Sequence, residues 1–529
     1  MSHFATRHFQ DIRRALLAKQ ELALIDVREE DPFAQRHPLF AANVPLSRLE
    51  LEILSRVPRL DTPVTLYDDG EGLASQAAER LLQLGYRDVA LLEGGLAGWR
   101  AAGGELFRDV NVPSKAFGEL VESVRHTPSL GAEQVQALLD GKANVVVLDA
   151  RRFDEYQTMS IPGGISVPGA ELVLRVAELA PAPDTQVIVN CAGRTRSIIG
   201  TQSLLNAGIP NPVAALRNGT IGWTLAGQRL AHGQQRRFGE VSEATRQQAA
   251  RKARAVADRA GVVRLDKAAL AGWQAEASRT TYLFDVRTPE EYAAGHLPGS
   301  RSTPGGQLIQ ETDHVASVRG ARIVLVDDDG VRANMSASWL AQLGWEVAVL
   351  DGLALADFSE TGEWQPSLPS LPQVPGVTFE QLAAWLERSG TVLLDFTTSA
   401  NYVKRHIPGA WWAIRAQLAQ ALEALPVAER YVVTCGSSLL ARFAAVDLQA
   451  LTDKPVFLLE GGTARWIEAG LPLESGETRL AVARSDRYRR PYEGTDNPRE
   501  AMQGYLDWEF GLVAQLERDG THGFKVLPA

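Results

Sequence analysis

Short runs of consecutive apolar residues alternate along this chain with segments whose apolar positions repeat at helical spacing. "VVVLD" at 145–149 and "VIVN" at 187–190 are of the first kind, and "SIIGTQSLLNAG" and "NMSASWLAQLG" of the second. A strand that is apolar on both faces belongs inside a parallel sheet, and the intervening helices cover that sheet from both sides. The expected units are small α/β domains, each a parallel sheet flanked by helices on both faces.

The pattern occurs four times. "VVVLDARRFDEY" leads through "IPGGISVP" to "VIVNCAGRTRS", a helix and "VAALRNGTIGW"; "LALIDVREED" leads to "VTLYDDGEGLAS" and "VALLEGGLAGW". "YLFDVRTPEEYAAGHLPGS" leads to "IVLVDDDGVRA" and "VAVLDGLALADF", and "VLLDFTTSANYVKRHIPGA" to "YVVTCGSSLLAR" and "VFLLEGGTARW". Gly85, Gly208 and Gly344 end equivalent helices, with Thr452 in the fourth copy, and counting back from them aligns Asp68, Cys191, Asp327 and Cys435. The copies recur far beyond the roughly 20–50 residues of a solenoid repeat, so whole domains stand in series. Their expected limits are 1–105, 126–232, 263–365 and 375–476, followed by a helical tail at 477–529.

A polar, helical bridge, "GQQRRFGEVSEATRQQAARKARAVADRAG", precedes the third copy, and "QPSLPSLPQVPG" reads as a semi-rigid linker before the fourth. In the tail, Met502, Leu506, Phe510, Val513 and Leu516 recur at helical spacing and are expected to pack onto another domain.

Of the 529 residues, 45% are hydrophobic and 22% charged, the balance of a globular protein. The net charge of -10 argues against an extended phosphate-binding face, so no nucleic acid is expected. No run approaches the roughly 18 apolar residues of a membrane span, and the N-terminus lacks an apolar signal core. Two distant cysteines make neither a disulfide framework nor a thiolate zinc site, which favours a reducing, cytoplasmic setting. The acidic runs "YDDGEG" and "VDDDG" lack regular ligand spacing, so no metal site is expected.

Cys191 ends an apolar strand and precedes a tight turn into a helix, where backbone N–H groups and the helix dipole favour a thiolate. The turn that follows, Ala192, Gly193, Arg194, Thr195, Arg196 and Ser197, is small where the backbone must curl and cationic where an anion would arrive. These residues are the candidate substrate-binding loop. Cys435 is a second candidate nucleophile, although its "CGSSLL" turn carries no charge.

The order of aspartate-x-arginine, glutamate-tyrosine, Ile/Leu-Pro-Gly, strand-cysteine-loop-helix and Gly-Gly-x3-Trp resembles the rhodanese, or sulfurtransferase, domain over nearly the whole chain. That resemblance implies that Cys191, and in the last copy Cys435, accepts a sulfane sulfur and holds it as a persulfide, with no metal or organic cofactor. It also implies that Asp149 and Arg151 form an ion pair bracing the loop. Asp68 and Asp327 cannot carry a persulfide, so the first and third copies are expected to be inactive. Trp99, Trp223 and Trp466 read as core residues, and His296 and His406 as structural. Related phosphatases use Cys-x5-Arg, whereas Cys191 to Arg196 is Cys-x4-Arg, a smaller loop suited to sulfur. The expected activity moves sulfur from thiosulfate to a thiol or cyanide, or to a sulfur-accepting protein, with Arg194 and Arg196 receiving the dianion. 3-Mercaptopyruvate or a small persulfide is an alternative donor, and a non-catalytic sulfur carrier or scaffold an alternative role.

Overall fold

The computed structural model describes residues 4–528. Each apolar run forms a strand, and the strands assemble into four five-stranded sheets with one topology: the first strand of each copy lies at an edge beside the fifth, followed by the fourth, second and third. Every pairing is parallel. In the second copy the order across the sheet is Ser129–Leu130, Val213–Leu216, Gln186–Asn190, Val145–Asp149 and Ile165–Ser166. Asp149 pairs with Asn190, so the residue before Cys191 lies beside the carboxyl end of the neighbouring strand Val145–Asp149. The central strands are apolar on both faces because helices pack on both, as in Arg322–Val326, where Ile323 to Val326 are all buried.

The three tryptophans close the last helical turn of their copies in the same way. Trp99, Trp223 and Trp466 are buried, and their indole N–H groups donate to the carbonyls of Glu105, Arg229 and Pro472, each at 2.9 Å. His296 and His406 stack on Tyr292 and Tyr402 and bond through Nδ1 to the carbonyls of those tyrosines, which is a structural use.

The segments between copies do more than connect. Val112–Arg125 is a helix whose Val112, Phe117 and Val121 are fully buried, with the Phe117 ring edge-on to Trp339 of the third copy. The bridge forms helix Glu243–Arg259; its Ala249, Ala253 and Val256 enter one core with Leu172, Val331 and Met335, joining the second and third copies. Between those copies Trp339 Nε1 also donates to Ser203 Oγ at 2.8 Å. The fourth copy is fastened to the first by Arg415, which donates to both carboxylate oxygens of Glu50 at 2.6 and 2.9 Å and to Asp447 at 2.7 Å.

The tail differs from the single helical stripe expected. Gly511 divides it into helices Arg499–Phe510 and Leu512–Asp519. Met502, Leu506 and Leu516 are buried as expected, but Phe510 is 56% exposed, and Tyr505, Glu509 and Leu512 occupy the inner side. Met502, Tyr505 and Leu506 pack on Ile221 of the second copy, so the tail lies against the end of the sheet where Cys191 sits.

Candidate active site

Strand Gln186–Asn190 delivers Cys191 to the carboxyl end of its sheet, and helix Thr195–Asn206 starts four residues later. The turn is held from below by the last βα connection. Thr220 N donates to the Cys191 carbonyl at 2.9 Å and Ile221 N to that of Ala192 at 3.0 Å. A Cβ at Gly219 would overlap the Cys191 carbonyl oxygen, and its φ is +55°, so the position demands glycine. Gly95 and Gly462 take the same place against the carbonyls of Asp68 and Cys435, with φ of +56° and +62°. The third copy has Leu353 there, and its segment forms only the short turn Leu355–Asp357.

Cys191 is 1% exposed. Its Sγ lies 3.4 Å from Ser197 Oγ, and the Ser197 hydroxyl donates to the Arg194 carbonyl at 2.8 Å, so in this arrangement the thiol proton points to the serine. Burial pushes the thiol above its ordinary range, opposed by the Arg196 charge and by the contacts with the side chain and backbone amide of Ser197. Asp149 and Arg151 are joined by two bonds of 2.8 and 2.7 Å, and Asn190 Nδ2 donates to the same aspartate at 2.8 Å. The ion pair therefore reaches the residue directly before Cys191.

The two loop arginines part company. Arg196 donates to both oxygens of Glu155 at 2.7 and 2.8 Å and lines a cleft of about 500 Å³, with Arg152, Met159, Gln310, Arg490 and Tyr492 among its walls. Burial alone would raise the Glu155 carboxyl, but Arg196, with Arg151 and Arg152, holds it at about 2. Arg194, expected to meet the substrate, is instead 4% exposed and turned into the inter-copy helix. It donates to Glu119 at 2.7 and 2.9 Å, to Glu122 and to Asn218, and stacks its guanidinium on Phe510. Ala192, Gly193 and Thr195 are buried as well; Tyr505 and Glu509 of the tail cover Gly193, and Gly118 packs against Thr195. The carboxylates facing the loop went unassigned in the sequence. Glu155 had a signal in its "DEY" element, whereas Glu119, Glu122 and Glu509 come from segments outside the repeat and had none.

A common device links all four loops. The backbone N–H six residues after the aligned position, at the helix start, points back at that position. It donates to Asp68 Oδ2 from Ala74 at 2.9 Å and to Asp327 Oδ2 from Ala333 at 2.8 Å. The corresponding amides of Ser197 and Ala441 favour the ionised forms of Cys191 and Cys435. Where a cysteine is missing, the chain supplies its own carboxylate to the amides that would stabilise a thiolate. In the third copy Asp329 accepts from the amides of Val331 and Arg332, and Asp328 pairs with Arg287 and Arg332. These aspartates are spent within the loop, and among the described residues no cluster of three or more His, Cys, Asp or Glu is placed to hold a metal.

Cys435 has a different setting. It is 5% exposed, yet Gly436 and Ser437 beside it are exposed, and the turn is completed by Ser438 at a φ of +70°. Burial raises its thiol; the amides of Ala441, Ser437 and Leu440 oppose this, and Asp395 adds to it. Thr397 stands where the second copy has Arg151, so Asp395 has no arginine, its Oδ2 has no hydrogen-bond partner among the described residues, and burial raises its carboxyl to about 7. Arg442 reaches the Pro372 carbonyl.

The rhodanese-like domain model matches residues 10–102, 131–226, 267–352 and 378–469, most of the chain. The chain belongs to the rhodanese-like domain family. A solved structure of a thiosulfate sulfurtransferase from Pseudomonas aeruginosa is 78% identical, with a TM-score of 0.98 over 99% of this chain and 100% of that one. Among curated rhodanese relatives, a probable 3-mercaptopyruvate sulfurtransferase of Pseudomonas aeruginosa is 33% identical over 175 residues, 32% of this chain and 56% of that protein's length. A thiosulfate sulfurtransferase of Azotobacter vinelandii is 25% identical over 224 residues, 35% of this chain and 81% of its own. No helix among the described residues of this rhodanese-family chain is long and apolar enough to cross a membrane.

Proposed function

We propose that this protein is a thiosulfate sulfurtransferase that carries sulfane sulfur on Cys191. The likeness to the Pseudomonas aeruginosa thiosulfate sulfurtransferase over the full length of both chains carries the reading. The Cys191 sulfur attacks the outer sulfur of thiosulfate, the thiosulfate S–S bond breaks, and sulfite leaves with the bonding pair. Cyanide or a thiol then attacks the outer sulfur of the persulfide and Cys191 departs as the leaving group. Arg196 and the amides at the helix start favour the anionic sulfur, and the cleft beside Arg196 offers the substrate its approach. Arg194 is assigned to holding the loop on helix Val112–Arg125, since its charge is already met by Glu119 and Glu122. The persulfide itself carries the sulfur, so no separate cofactor is invoked. Two free thiols suit a reducing, cytoplasmic compartment. The first and third copies act as scaffold, and Cys435, without a cation in its turn, is the lesser thiol.

A second donor, 3-mercaptopyruvate, is favoured by the 33% identical relative of that name. Steady-state turnover with each donor and cyanide separates the two, and absence of turnover with either would leave the carrier role. Cys191→Ser is expected to abolish thiosulfate:cyanide transfer while the fold persists, because serine has no sulfur to form the persulfide. A folded variant with wild-type turnover would move the chemistry to Cys435.

A further inference from the structure

Cys191 is a buried thiol whose neighbouring arginines are both engaged by carboxylates, and the transfer just described requires that thiol to lose its proton and later regain it. The loop's charges do not accept a proton. The tail does bring a group that can. Helix Arg499–Phe510 crosses the turn so closely that a Cβ on Gly193 would lie 3.1 Å from the Tyr505 ring and 3.4 Å from Glu509 Oε2. Glu509 is fully buried; its Oε1 accepts the Tyr505 hydroxyl at 2.7 Å, while Oε2, on the side of the loop, has no hydrogen-bond partner among the described residues. The close fit explains the glycine two positions after the nucleophile, and a buried carboxylate oxygen without a partner is costly unless it has a use.

We propose that Glu509 is the proton store of the Cys191 site, taking the thiol proton when sulfur is accepted and returning it when sulfur is passed on. In the first half, the Cys191 sulfur bonds to the outer sulfur of thiosulfate as the thiosulfate S–S bond breaks. The bonding pair leaves on sulfite, and the Cys191 proton passes to the Glu509 carboxylate, directly or through one water. The persulfide anion then lies under a neutral carboxylic acid instead of a second negative charge. In the second half, cyanide anion bonds to the outer persulfide sulfur, the persulfide S–S bond breaks, and its pair goes to the Cys191 sulfur, which takes the proton back from Glu509. Protons and charge return to their starting values, and no external oxidant or reductant enters.

The groups facing Glu509 suit this exchange. They are Tyr505 on its own helix, Glu119 and Lys115 on helix Val112–Arg125, and Arg194 on the cysteine loop. Burial first, and then Glu119, raise the carboxyl to about 8 against the opposing effects of Lys115, the Tyr505 hydrogen bond and Arg194. Glu509 in turn adds to the upward push on the Cys191 thiol, behind the larger effect of burial. Lys115 is itself held by Asp109 at 2.6 Å and ringed by Tyr492, Tyr505 and Trp508, which leaves it no role as the base.

The inference rests on Cys191 being the sulfur acceptor, and the test keeps the two separable. With thiosulfate and cyanide, the whole protein should give a bell-shaped pH profile of kcat/KM for thiosulfate, because the active form holds one proton between Cys191 and Glu509. Glu509→Gln, which keeps the bond from Tyr505, is expected to lower kcat on the order of 10²-fold, with the KM for thiosulfate within about twofold. Its profile should rise with pH without the second limb. Tyr505→Phe removes the bond that favours the carboxylate and should move the acid limb to higher pH, which keeps the proposal testable where the glutamine variant does not fold. Wild-type kcat and an unchanged bell in Glu509→Gln, or an unmoved limb in folded Tyr505→Phe, would overturn it. An active Cys191→Ser would instead overturn the reading of Cys191 on which it depends.

Discussion

Around Cys191 the loop's chemistry is set by which carboxylate each basic residue meets. Arg196 keeps its guanidinium at the cleft while tied to Glu155, and Arg194 is drawn away by Glu119 and Glu122. The Glu155 pair has a pH signature. Its carboxyl lies at about 2 in the folded protein, below the roughly 4.3 of a free glutamate, so the pair stabilises the fold above the unfolded value, and this contribution is lost as pH falls through about 2. Glu155→Gln is therefore expected to be less stable than wild type at pH 7, with the gap closing between about pH 4.5 and 2. Urea titrations of both proteins across that range check it; a gap independent of pH would assign the loss to packing. At the same scale, Arg196→Ala is expected to weaken turnover of dianionic thiosulfate more than the reaction of Cys191 with a neutral alkylating reagent. Equal losses in the two assays would leave Arg196 only its effect on the thiol.

The elements that matter most are the strand-to-helix turn and the helix that seals it. Gly208 and Gly219 of the second copy both have positive φ but unequal surroundings. Gly208, at +64°, would direct a Cβ into open space, whereas a Cβ on Gly219 would strike the carbonyls of Cys191 and Gly193. Gly208→Ala is expected to cost about 1–2 kcal/mol, the strain of a left-handed L-residue, and to leave turnover per folded molecule unchanged. Gly219→Ala should cost more and reduce kcat/KM with it, because the cysteine turn must shift. Denaturation midpoints and kinetics of the two variants make the comparison, and equal effects on turnover would show that the turn does not depend on the helix beneath it. The aspartate loops obey the same geometry, since their carboxylates take the amide that the cysteine loops direct at sulfur.

For the whole molecule, the copies are coupled by buried charge as much as by apolar contact. Arg415 and Glu50 are both buried where the fourth copy meets the first. Arg415→Ala removes the two-bond partner of Glu50 and leaves it only the longer contact with Arg80 at 3.5 Å, so the cost should approach the roughly 3–5 kcal/mol of breaking a buried pair. The expected outcome is an early, separate unfolding transition for the fourth copy, with thiosulfate turnover through Cys191 unchanged. A single unshifted transition by calorimetry would mean that the copies are joined mainly by other contacts.

The sequence by itself determined the four α/β units, their parallel sheets and the alignment of Asp68, Cys191, Asp327 and Cys435. Strand and helix periodicity, and the glycine that ends the helix in three of the four copies, are local properties that need no neighbour to be read. The contrast between a charged and an uncharged cysteine turn was legible for the same reason, whereas the Asp149–Arg151 pair was implied by the resemblance to the rhodanese domain. Tertiary structure alone decided which way Arg194 points, because Glu119 and Glu122 lie between the limits read for the first two copies, in a segment that becomes a buried helix. It also decided what covers Cys191. Helical spacing marked Phe510 as inward, but Gly511 breaks the helix and the docking angle on Ile221 places Tyr505 and Glu509 over the turn instead. Periodicity says that a helix has an inner face; where that face lands depends on contacts with residues far away in the chain, Ile221 and Gly193 among them, and those follow from packing the copies against one another.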